Sequence, residues 1–285
     1  MAKGKHAKKT RKKHVFLKIF ILLVLVCALL LVDSNLRPVL SEYEVSLSSL
    51  PKSFDGVRIV QLSDLHATEY GENNEKLVSK VKAQQPSLIA ITGDMIDAEG
   101  QDGYVRTLIP QLLEIAPVYY VTGNHEWASG AIKEMFATLK ELGVNVLRND
   151  YDVLRIGDDS IILAGAEDPN GPYDMETKDA LVNRIRQAEG GKTMIMLYHR
   201  NDKLSEFASL GVDLVLSGHA HGGLIRLPFT DGLVDGSRTL FPTHTAGEYS
   251  EGGTKMIVSR GLGNTGRTFR FLNNPDIVSI TLRAE

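Results

Sequence analysis

Seven side chains that can bind a metal ion lie at the ends of apolar runs in this sequence. The runs read VRIVQLS, SLIAIT, PVYYVTG, TMIMLYH and VDLVLSG, and the donors are Asp64, His66, Asp94, Asn124, His199, His219 and His221. Imidazole nitrogens with carboxylate and amide oxygens, and no sulfur, suit Mn, Fe or Zn. One tetrahedral zinc ion needs fewer donors, whereas two ions that share a carboxylate would use them all. The set therefore predicts a two-metal centre, of the kind that binds a phosphoryl group and activates water.

Each of these donors also has a simpler explanation when it is taken alone. An Asp or Asn after a strand is commonly a turn residue or a helix cap, and the histidine pair in GHAHGG is compatible with an ordinary loop. The recurrence of donors at the ends of five apolar runs favours the metal centre. Glycines precede Asp94, Asn124 and His219, as expected where a chain turns sharply after a strand.

The elements that would position these donors alternate between short apolar runs and longer amphipathic segments. The runs predict strands buried on both faces, at 57–63, 87–92, 117–123, 160–166, 193–199, 212–218, 255–261 and 277–282. Apolar residues at helical spacing predict helices at 73–84, 104–115, 130–143 and 178–189. This alternation predicts an α/β domain with helices over the sheet faces and the donors at the carboxyl edge of parallel strands.

The first 32 residues predict a membrane anchor. Residues 1–14 carry seven Lys or Arg and no acidic residue, and residues 15–32 are almost wholly apolar. As a helix, the apolar run would span about 27 Å, close to the roughly 30 Å hydrocarbon core of a bilayer. A cleaved signal peptide is the alternative, but no convincing A-x-A-type site follows the run. We interpret residues 1–14 as a basic cytoplasmic tail and 15–32 as a single-pass signal anchor in the cell membrane, with the following domain extracytoplasmic.

The remainder of the chain has an ordinary globular composition. Of the 285 residues, 43% are hydrophobic and 24% are charged. Residues 33–55 are assigned to a linker and the start of the domain, and 56–285 to the domain itself. The only cysteine, Cys27, lies in the apolar run, so the domain has neither a disulfide nor a thiolate metal site. A basic tail that leads into an apolar run indicates a membrane partner rather than nucleic acid, and no obligate protein partner is indicated.

The ordered motifs SDLHA, GDMID, GNHEW, YHR and GHAHGG resemble those of the calcineurin-like metallophosphoesterases. The resemblance spans roughly residues 57–283 and implies a four-layer α/β/β/α sandwich, so that 56–285 would be a metallophosphoesterase domain. The closing stretch VSRGLGNTGRTFRFLNNPDIVSITL looks like the membrane-associated branch that contains UDP-2,3-diacylglucosamine hydrolase-like phosphodiesterases. Within that stretch GLGNTG matches a nucleotide-binding pattern, but no helix is predicted to open there, which favours a tight turn.

The resemblance also implies a role for each motif residue. One divalent ion would be held by Asp64, His66 and His221, the other by Asn124, His199 and His219, and Asp94 would bridge the two. His125 would stabilise the phosphoryl charge or protonate the leaving oxygen, and Asp97 would orient it. The implied activity is hydrolysis of phosphodiester or pyrophosphate bonds by metal-activated hydroxide.

The identity of the substrate stays open at this stage. A membrane anchor makes a lipid-linked or envelope phosphoester a candidate, because tethering raises the concentration of enzyme near the bilayer. Arg200, Arg226 and Asn264 are candidate substrate contacts, and the Gly/Pro/Thr-rich loop 222–254 is a candidate apolar lid. Three alternatives remain, namely a phosphomonoesterase, a protein phosphatase and a non-catalytic scaffold on the same fold.

Overall fold

The computed structural model describes residues 3–227, 230–235, 239–266 and 268–285. Within these ranges the α-helices are α1 (Lys3–Leu36), α2 (Glu75–Ala83), α3 (Asp102–Leu113), α4 (Asn124–Ala128), α5 (Ile132–Leu142), α6 (Lys178–Glu189) and α7 (Leu204–Ser209). The strands are β1 (Val39–Leu47), β2 (Arg58–Leu62), β3 (Leu88–Thr92), β4 (Val118–Val121), β5 (Asn145–Val146), β6 (Asp150–Ile156), β7 (Asp159–Ala166), β8 (Met194–Tyr198), β9 (Leu214–Ser217), β10 (Gly247–Glu251), β11 (Thr254–Val258) and β12 (Asp276–Ala284).

Two six-stranded sheets of the described chain pack face to face. Their strand orders are β1-β12-β2-β3-β4-β5 and β10-β11-β9-β8-β7-β6. Neighbouring residues of a strand point to opposite faces, so Ile59 lies in the core between the sheets while Val60 packs under the helices. Leu214 and Val215 divide in the same way in the second sheet. Helices α2, α3 and α5 cover the first sheet and α6 and α7 the second, which confirms the predicted α/β/β/α sandwich.

Strand direction is mixed, so the expectation of parallel strands holds for only part of each sheet. β12 runs antiparallel to β2, β6 antiparallel to β7, and β10 antiparallel to β11. The strands that precede the predicted donors are nevertheless parallel neighbours: β2, β3 and β4 in one sheet, and β8 and β9 in the other. The carboxyl ends of these five strands therefore share one edge of the sandwich.

Helix α1 extends beyond the apolar run that predicted it. Its segment Lys13–Leu36 is long and apolar enough to cross a membrane, and none of its most apolar stretch is buried in the protein. The last turn of α1 contacts the domain, where Asn274 Nδ2 donates hydrogen bonds to the carbonyl oxygen and to Oδ2 of Asp33, both at 2.9 Å. Strand β1 follows almost at once, so much of the predicted linker 33–55 belongs to regular structure.

Candidate metal centre

The seven predicted donors lie together at the carboxyl edge shared by the two sheets. Segments after β2, β3 and β4 enter this edge from one sheet, and segments after β8 and β9 enter it from the other. Their side chains form two groups of potential ligands, one of Asp64, His66 and His221 and one of Asp94, His199 and His219. Asn124 lies beside the second group.

The first group has the spacing expected of ligands to one ion. His66 Nε2 lies 3.3 Å from His221 Nε2, which in turn lies 3.5 Å from Asp64 Oδ1. All three residues are buried. Two nitrogens that each lie about 2.1 Å from a shared ion are about 3 to 3.5 Å apart. The structure therefore brings together three residues that can hold one divalent cation.

The second group converges on one nitrogen of His199. His199 Nε2 lies 3.2 Å from His219 Nδ1, 3.2 Å from Asp94 Oδ2 and 3.1 Å from Asn124 Oδ1. His199 is completely buried, and its Nδ1 lies 2.8 Å from the carbonyl oxygen of Thr92. A donor bond from Nδ1 to that carbonyl leaves the Nε2 lone pair directed into the group, as metal-binding histidines require.

Asp94 lies between the two groups. Its Oδ2 is 3.2 Å from His199 Nε2 and 3.9 Å from His66 Nε2, so one carboxylate oxygen faces a ring of each group. The other oxygen, Oδ1, accepts a hydrogen bond from the backbone N–H of His125 at 2.9 Å. This carboxylate can contact two cations at once.

The charges at this edge favour cation binding. Every ion pair of Asp64 and Asp94 within the described ranges is to a histidine, and both carboxylates are buried. Burial alone would lower the pKa of His199, but the Asp94 carboxylate, together with Asp64 and Asp168, outweighs burial and raises that pKa to about 10. The negative potential of these buried carboxylates favours binding of a cation, either a proton or a metal ion. Burial lowers the pKa of His221 to about 3 and that of His219 to about 4, which keeps both rings neutral, as ligands must be.

The backbone at the site has conformations that residues other than glycine rarely adopt. Asp64, His66, Asp94, His219 and His221 all have φ between +46° and +68°. Left-handed backbone costs about 1–2 kcal/mol for a residue with a Cβ, and it concentrates at functional sites. Five of the seven predicted donors therefore turn into the site through strained backbone.

Two of the glycines that precede donors are required by space rather than by φ. A Cβ on Gly123 would lie 2.1 Å from Asp94 Oδ1, and a Cβ on Gly218 would lie 1.9 Å from Ser63 Oγ and 2.3 Å from Asp64 Oδ2. The carboxylates of the site thus pack directly against backbone that carries no side chain.

His125 and Asp97 lie next to the first group. Asp97 Oδ1 lies 2.9 Å from His125 Nδ1 and 2.6 Å from His66 Nδ1, so one carboxylate oxygen accepts from both rings. The hydrogen bond from His125 to Asp97 raises the pKa of that imidazole. His125 is partly exposed, and its Nε2 lies 4.0 Å from Asp94 Oδ2. The contact between Asp97 and His66 was not anticipated from the sequence.

Glu126 is a buried residue of the site whose role the motif GNHEW alone does not predict. Its Oε2 accepts hydrogen bonds from the N–H groups of Gly123 at 2.8 Å and Asp94 at 3.1 Å, and its Oε1 accepts from Met95 at 2.5 Å. One carboxylate thereby ties the turn after β4 to the turn after β3. The signal available in the sequence was its place in GNHEW, directly after a predicted donor.

The three predicted substrate contacts have defined partners. Arg200 donates to both carboxylate oxygens of the buried Asp168, at 2.8 and 3.0 Å, and lines a cavity beside His219. Arg226 Nη1 donates to the carbonyl oxygen of Gly222 at 2.9 Å, within its own loop. Asn264 donates through Nδ2 to Asn35 Oδ1 at 3.0 Å and accepts through Oδ1 from Arg270 at 2.8 Å, and it does not line this cavity. Of the predicted lid 222–254, residues 228–229 and 236–238 lie outside the described residues.

Arg270 and Asn273 contact the first group although sequence reasoning did not select them. Asn273 Nδ2 donates to the carbonyl oxygen of His221 at 2.8 Å, and Arg270 Nη2 lies 3.3 Å from His221 Nδ1. Both side chains are completely buried. They come from a segment with no metal-binding motif, so only the three-dimensional fold reveals the contact.

Comparison with known proteins agrees with this geometry. The profile of the calcineurin-like phosphoesterases matches residues 57–223. The uncharacterized metallophosphoesterase YkuE of Bacillus subtilis is 32% identical over 252 residues, which cover 86% of this chain and 85% of YkuE. A transmembrane protein with metallophosphoesterase domain from Danio rerio is 27% identical over 278 residues, covering 89% of this chain and 59% of its own length.

Among solved structures, a dimetal phosphatase from Danio rerio aligns with a TM-score of 0.45 and 10% identity, over 73% of this chain and 88% of that chain. The family profile covers more than half of the chain and includes all seven residues of the candidate metal centre. The Bacillus relative is similar along nearly the whole domain. The chain therefore belongs to the calcineurin-like metallophosphoesterase family, with His/Asp clusters able to bind metal ions.

Proposed function

We propose that this chain hydrolyses phosphodiester or pyrophosphate bonds with the help of two divalent metal ions. The observation that carries the proposal is the position of Asp94, whose Oδ2 faces His199 of one group and His66 of the other. A shared carboxylate can hold two ions roughly 3.5–4 Å apart, the arrangement that clamps a phosphoryl group in two-metal enzymes.

In this proposal each group of side chains binds one ion. Asp64, His66 and His221 hold the first. Asn124, His199 and His219 hold the second, and Asp94 is shared. Neutral imidazoles with carboxylate and amide oxygens fit Mn, Fe and Zn alike.

The remaining chemistry falls to His125 and Asp97. When bound, the two ions would polarise the phosphoryl oxygens and lower the pKa of an attacking water molecule. Asp97 accepts the hydrogen bond from His125 Nδ1, which directs the opposite nitrogen, Nε2, toward the centre. His125 would donate its Nε2 proton to the leaving oxygen, or hydrogen-bond a phosphoryl oxygen as charge develops there. Asp97 favours the protonated imidazole, because its hydrogen bond raises the pKa of His125.

A cavity next to the metal centre can receive the group attached to the phosphate. It has a volume of about 260 Å³ and is lined by His219, Arg200, Asn201, Pro242 and Thr243, among others. Arg200 is fixed there by its two hydrogen bonds to Asp168, so its charge is held in place before a substrate arrives.

A lipid-linked substrate is the finer part of the proposal. Helix α1 is able to cross a membrane, and Phe241, whose neighbour Pro242 lines the cavity, is 74% exposed. Leu240, which precedes Phe241 in the chain, is 69% exposed. Large apolar side chains exposed near a site commonly mark contact with a membrane or an apolar ligand. These residues support a substrate presented at the bilayer surface.

We propose a membrane topology from the charges in the first turns of α1. Seven basic residues precede the apolar run, so the N-terminus would stay in the cytoplasm and the catalytic domain would lie outside it. A Cys27→Ser, Asp158→Cys chain carries one cysteine, in an exposed turn of the domain. A membrane-impermeant maleimide should label that cysteine in intact cells or spheroplasts, and labelling only after lysis would place the domain in the cytoplasm.

The proposed activity is tested with the full chain in detergent micelles. The chain is stripped with chelator and supplied separately with Mn, Zn, Fe or Ca, using bis-p-nitrophenyl phosphate as diester and p-nitrophenyl phosphate as monoester. We expect metal-restored cleavage that His219→Ala abolishes. His244→Ala is the matched control, because that loop histidine lies outside the metal-binding groups. Preferential cleavage of the monoester would favour a phosphomonoesterase, and a folded chain that binds no metal would support the scaffold alternative.

A further inference from the structure

The end of the membrane-spanning helix is bound to the segment that contacts the metal centre. Asn35, in the last turn of α1, donates through Nδ2 to the carbonyl oxygen of Arg270 at 2.8 Å. Its Oδ1 accepts from the backbone N–H of Arg270 and from Nδ2 of Asn264, both at 3.0 Å. One side chain of α1 therefore satisfies both backbone groups of Arg270, as a neighbouring strand would.

Arg270 carries this contact into the domain. Its guanidinium is completely buried, and within the described ranges it makes no ion pair with an acidic residue. It donates to Asn264 Oδ1 at 2.8 Å, to the carbonyl oxygen of Arg260 at 2.6 Å and to that of Gly263 at 2.7 Å. A buried cation is tolerated only when its donors are satisfied, so its position depends on these oxygens. Asn264, which supplies one of them, is itself held by Asn35.

This series of contacts, which begins at Asn35 and passes through Arg270, ends at His221. Arg270 Nη1 donates to the His221 carbonyl oxygen at 3.4 Å. Arg270 Nη2 also lies 3.3 Å from His221 Nδ1, but a ring that binds an ion through Nε2 carries its proton on Nδ1, so Arg270 holds His221 through the carbonyl oxygen. Asn273 Nδ2 donates to the same carbonyl oxygen at 2.8 Å. His221 has a φ of +48° and Gly222 a φ of +65°. A left-handed conformation at a residue with a Cβ persists only when surrounding contacts impose it, and here Arg270 and Asn273 supply them.

We propose that Asn35 is a positioning residue for the metal centre, so that the last turn of the membrane helix is part of the active-site structure. Asn35 fixes the backbone of Arg270 and the amide of Asn264, these fix the Arg270 guanidinium, and the guanidinium fixes His221. The inference rests on the proposed function, because it takes His221 as a metal ligand. In this proposal α1 has a structural role beyond membrane anchoring, because the geometry of one ion site depends on the contact between the end of α1 and the domain.

The effect should be confined to one of the two ions. His221 belongs to the group with Asp64 and His66, whereas none of these contacts reaches His199 or His219. A general loss of structure would weaken both ion sites together. Loss of positioning at His221 would weaken one and leave the other intact.

The test uses the full chain in lipid nanodiscs, stripped of metal and titrated with Mn²⁺ by calorimetry. His221→Ala identifies the binding step that depends on the first group. We expect Asn35→Ala to weaken that same binding step by about threefold to tenfold. Replacing a residue that contacts a metal-binding side chain directly typically costs more, roughly 10- to 100-fold in affinity. Asn35→Asp keeps the oxygen that accepts from Arg270 and Asn264, but its second oxygen would face the carbonyl oxygens of Leu31 and Arg270, so it should lose at least as much affinity as Asn35→Ala.

The matched control is Arg37→Ala, which removes an exposed ion pair between Asp33, in the last turn of α1, and Arg37, directly after it. This variant should bind both ions as the wild type does. Hydrogen exchange of the metal-free chain gives a second readout, and Asn35→Ala should speed exchange in residues 260–274 relative to Arg37→Ala. The inference would be overturned if Asn35→Ala bound both ions with wild-type affinity and showed unchanged hydrogen exchange. A wild-type chain that binds no Mn²⁺ would refute the proposed function instead.

Discussion

Glu126→Gln should destabilise the protein even when no metal is bound. Glu126 is completely buried, and its carboxylate accepts three backbone N–H groups, from Asp94, Met95 and Gly123. The amide of glutamine has only one oxygen. If that oxygen replaces Oε2, it still accepts from Asp94 and Gly123, but the amide NH₂ group then faces the N–H of Met95. One hydrogen bond is lost, and two become bonds between neutral groups.

The size of the effect follows from these contacts. A hydrogen bond to a charged group contributes about 1.5–3 kcal/mol and a neutral one about 1 kcal/mol, so the lost and weakened bonds together amount to about 4 kcal/mol. Part of this loss of stabilisation is offset, because burial and the neighbouring Asp94 raise the pKa of Glu126 and so disfavour its anion. We expect a net destabilisation of about 2–3 kcal/mol, or a fall in Tm of about 4 to 12 °C.

Thermal melting of the full chain in detergent with excess chelator measures this effect without a contribution from metal. Glu141→Gln is the matched control, because the Glu141 carboxylate is 64% exposed and, among the residues that the structure describes, pairs only with Arg106, at 3.0 Å. An exposed ion pair of this kind contributes little, so the control should melt with the wild type. A Glu126→Gln variant that melts within about 1 °C of the control would refute the view that this carboxylate ties the two turns together.

Three further substitutions probe the site and its surroundings. Gly218→Ala would bring a methyl group into steric conflict with Ser63 and Asp64. The variant should lose tight binding of one ion and be destabilised by about 1–3 kcal/mol. Wild-type metal stoichiometry and Tm would contradict this expectation. Asn124→Asp adds a negative charge beside the substrate phosphate and should slow diester turnover at least about tenfold, because a unit charge about 4 Å away contributes several kcal/mol at an effective dielectric constant near 20. Unchanged turnover would count against the electrostatic reasoning. Phe241→Ser should raise KM by about threefold to tenfold for a lipid-linked diester in vesicles but not for a soluble diester, and equal effects on both would argue against membrane presentation.

The sequence was most informative where the chain leaves a buried strand. Each of the eight apolar runs overlaps a strand of the structure, and the donors after five of them meet at one edge. Strands β1, β6 and β10 were not predicted, because they alternate polar with apolar residues and are largely half-buried or exposed. Strand β5 was not predicted either, because it has only two residues. They occupy the outer positions of the two sheets, where continuous apolar character is not required.

Roles that depend on contacts distant in sequence could not be predicted. Arg270 looks like an ordinary surface arginine in its local sequence, yet it is completely buried against His221, 49 residues away. Asn264 was selected as a substrate contact because it lies in a turn near the predicted site. The structure adds that its amide joins Asn35 to Arg270. The mixed strand directions were also invisible locally, since an apolar strand carries no mark of the direction of its neighbour.

The central claim is that two metal ions bind on either side of Asp94. Anomalous diffraction from crystals of the full chain grown with Mn²⁺ tests it most directly. We predict two anomalous peaks roughly 3.5–4 Å apart, one beside His66 and His221 and the other beside His199 and His219, with the Asp94 carboxylate between them. A single peak, or two peaks that do not share Asp94, would contradict the dinuclear centre on which the proposed hydrolysis depends.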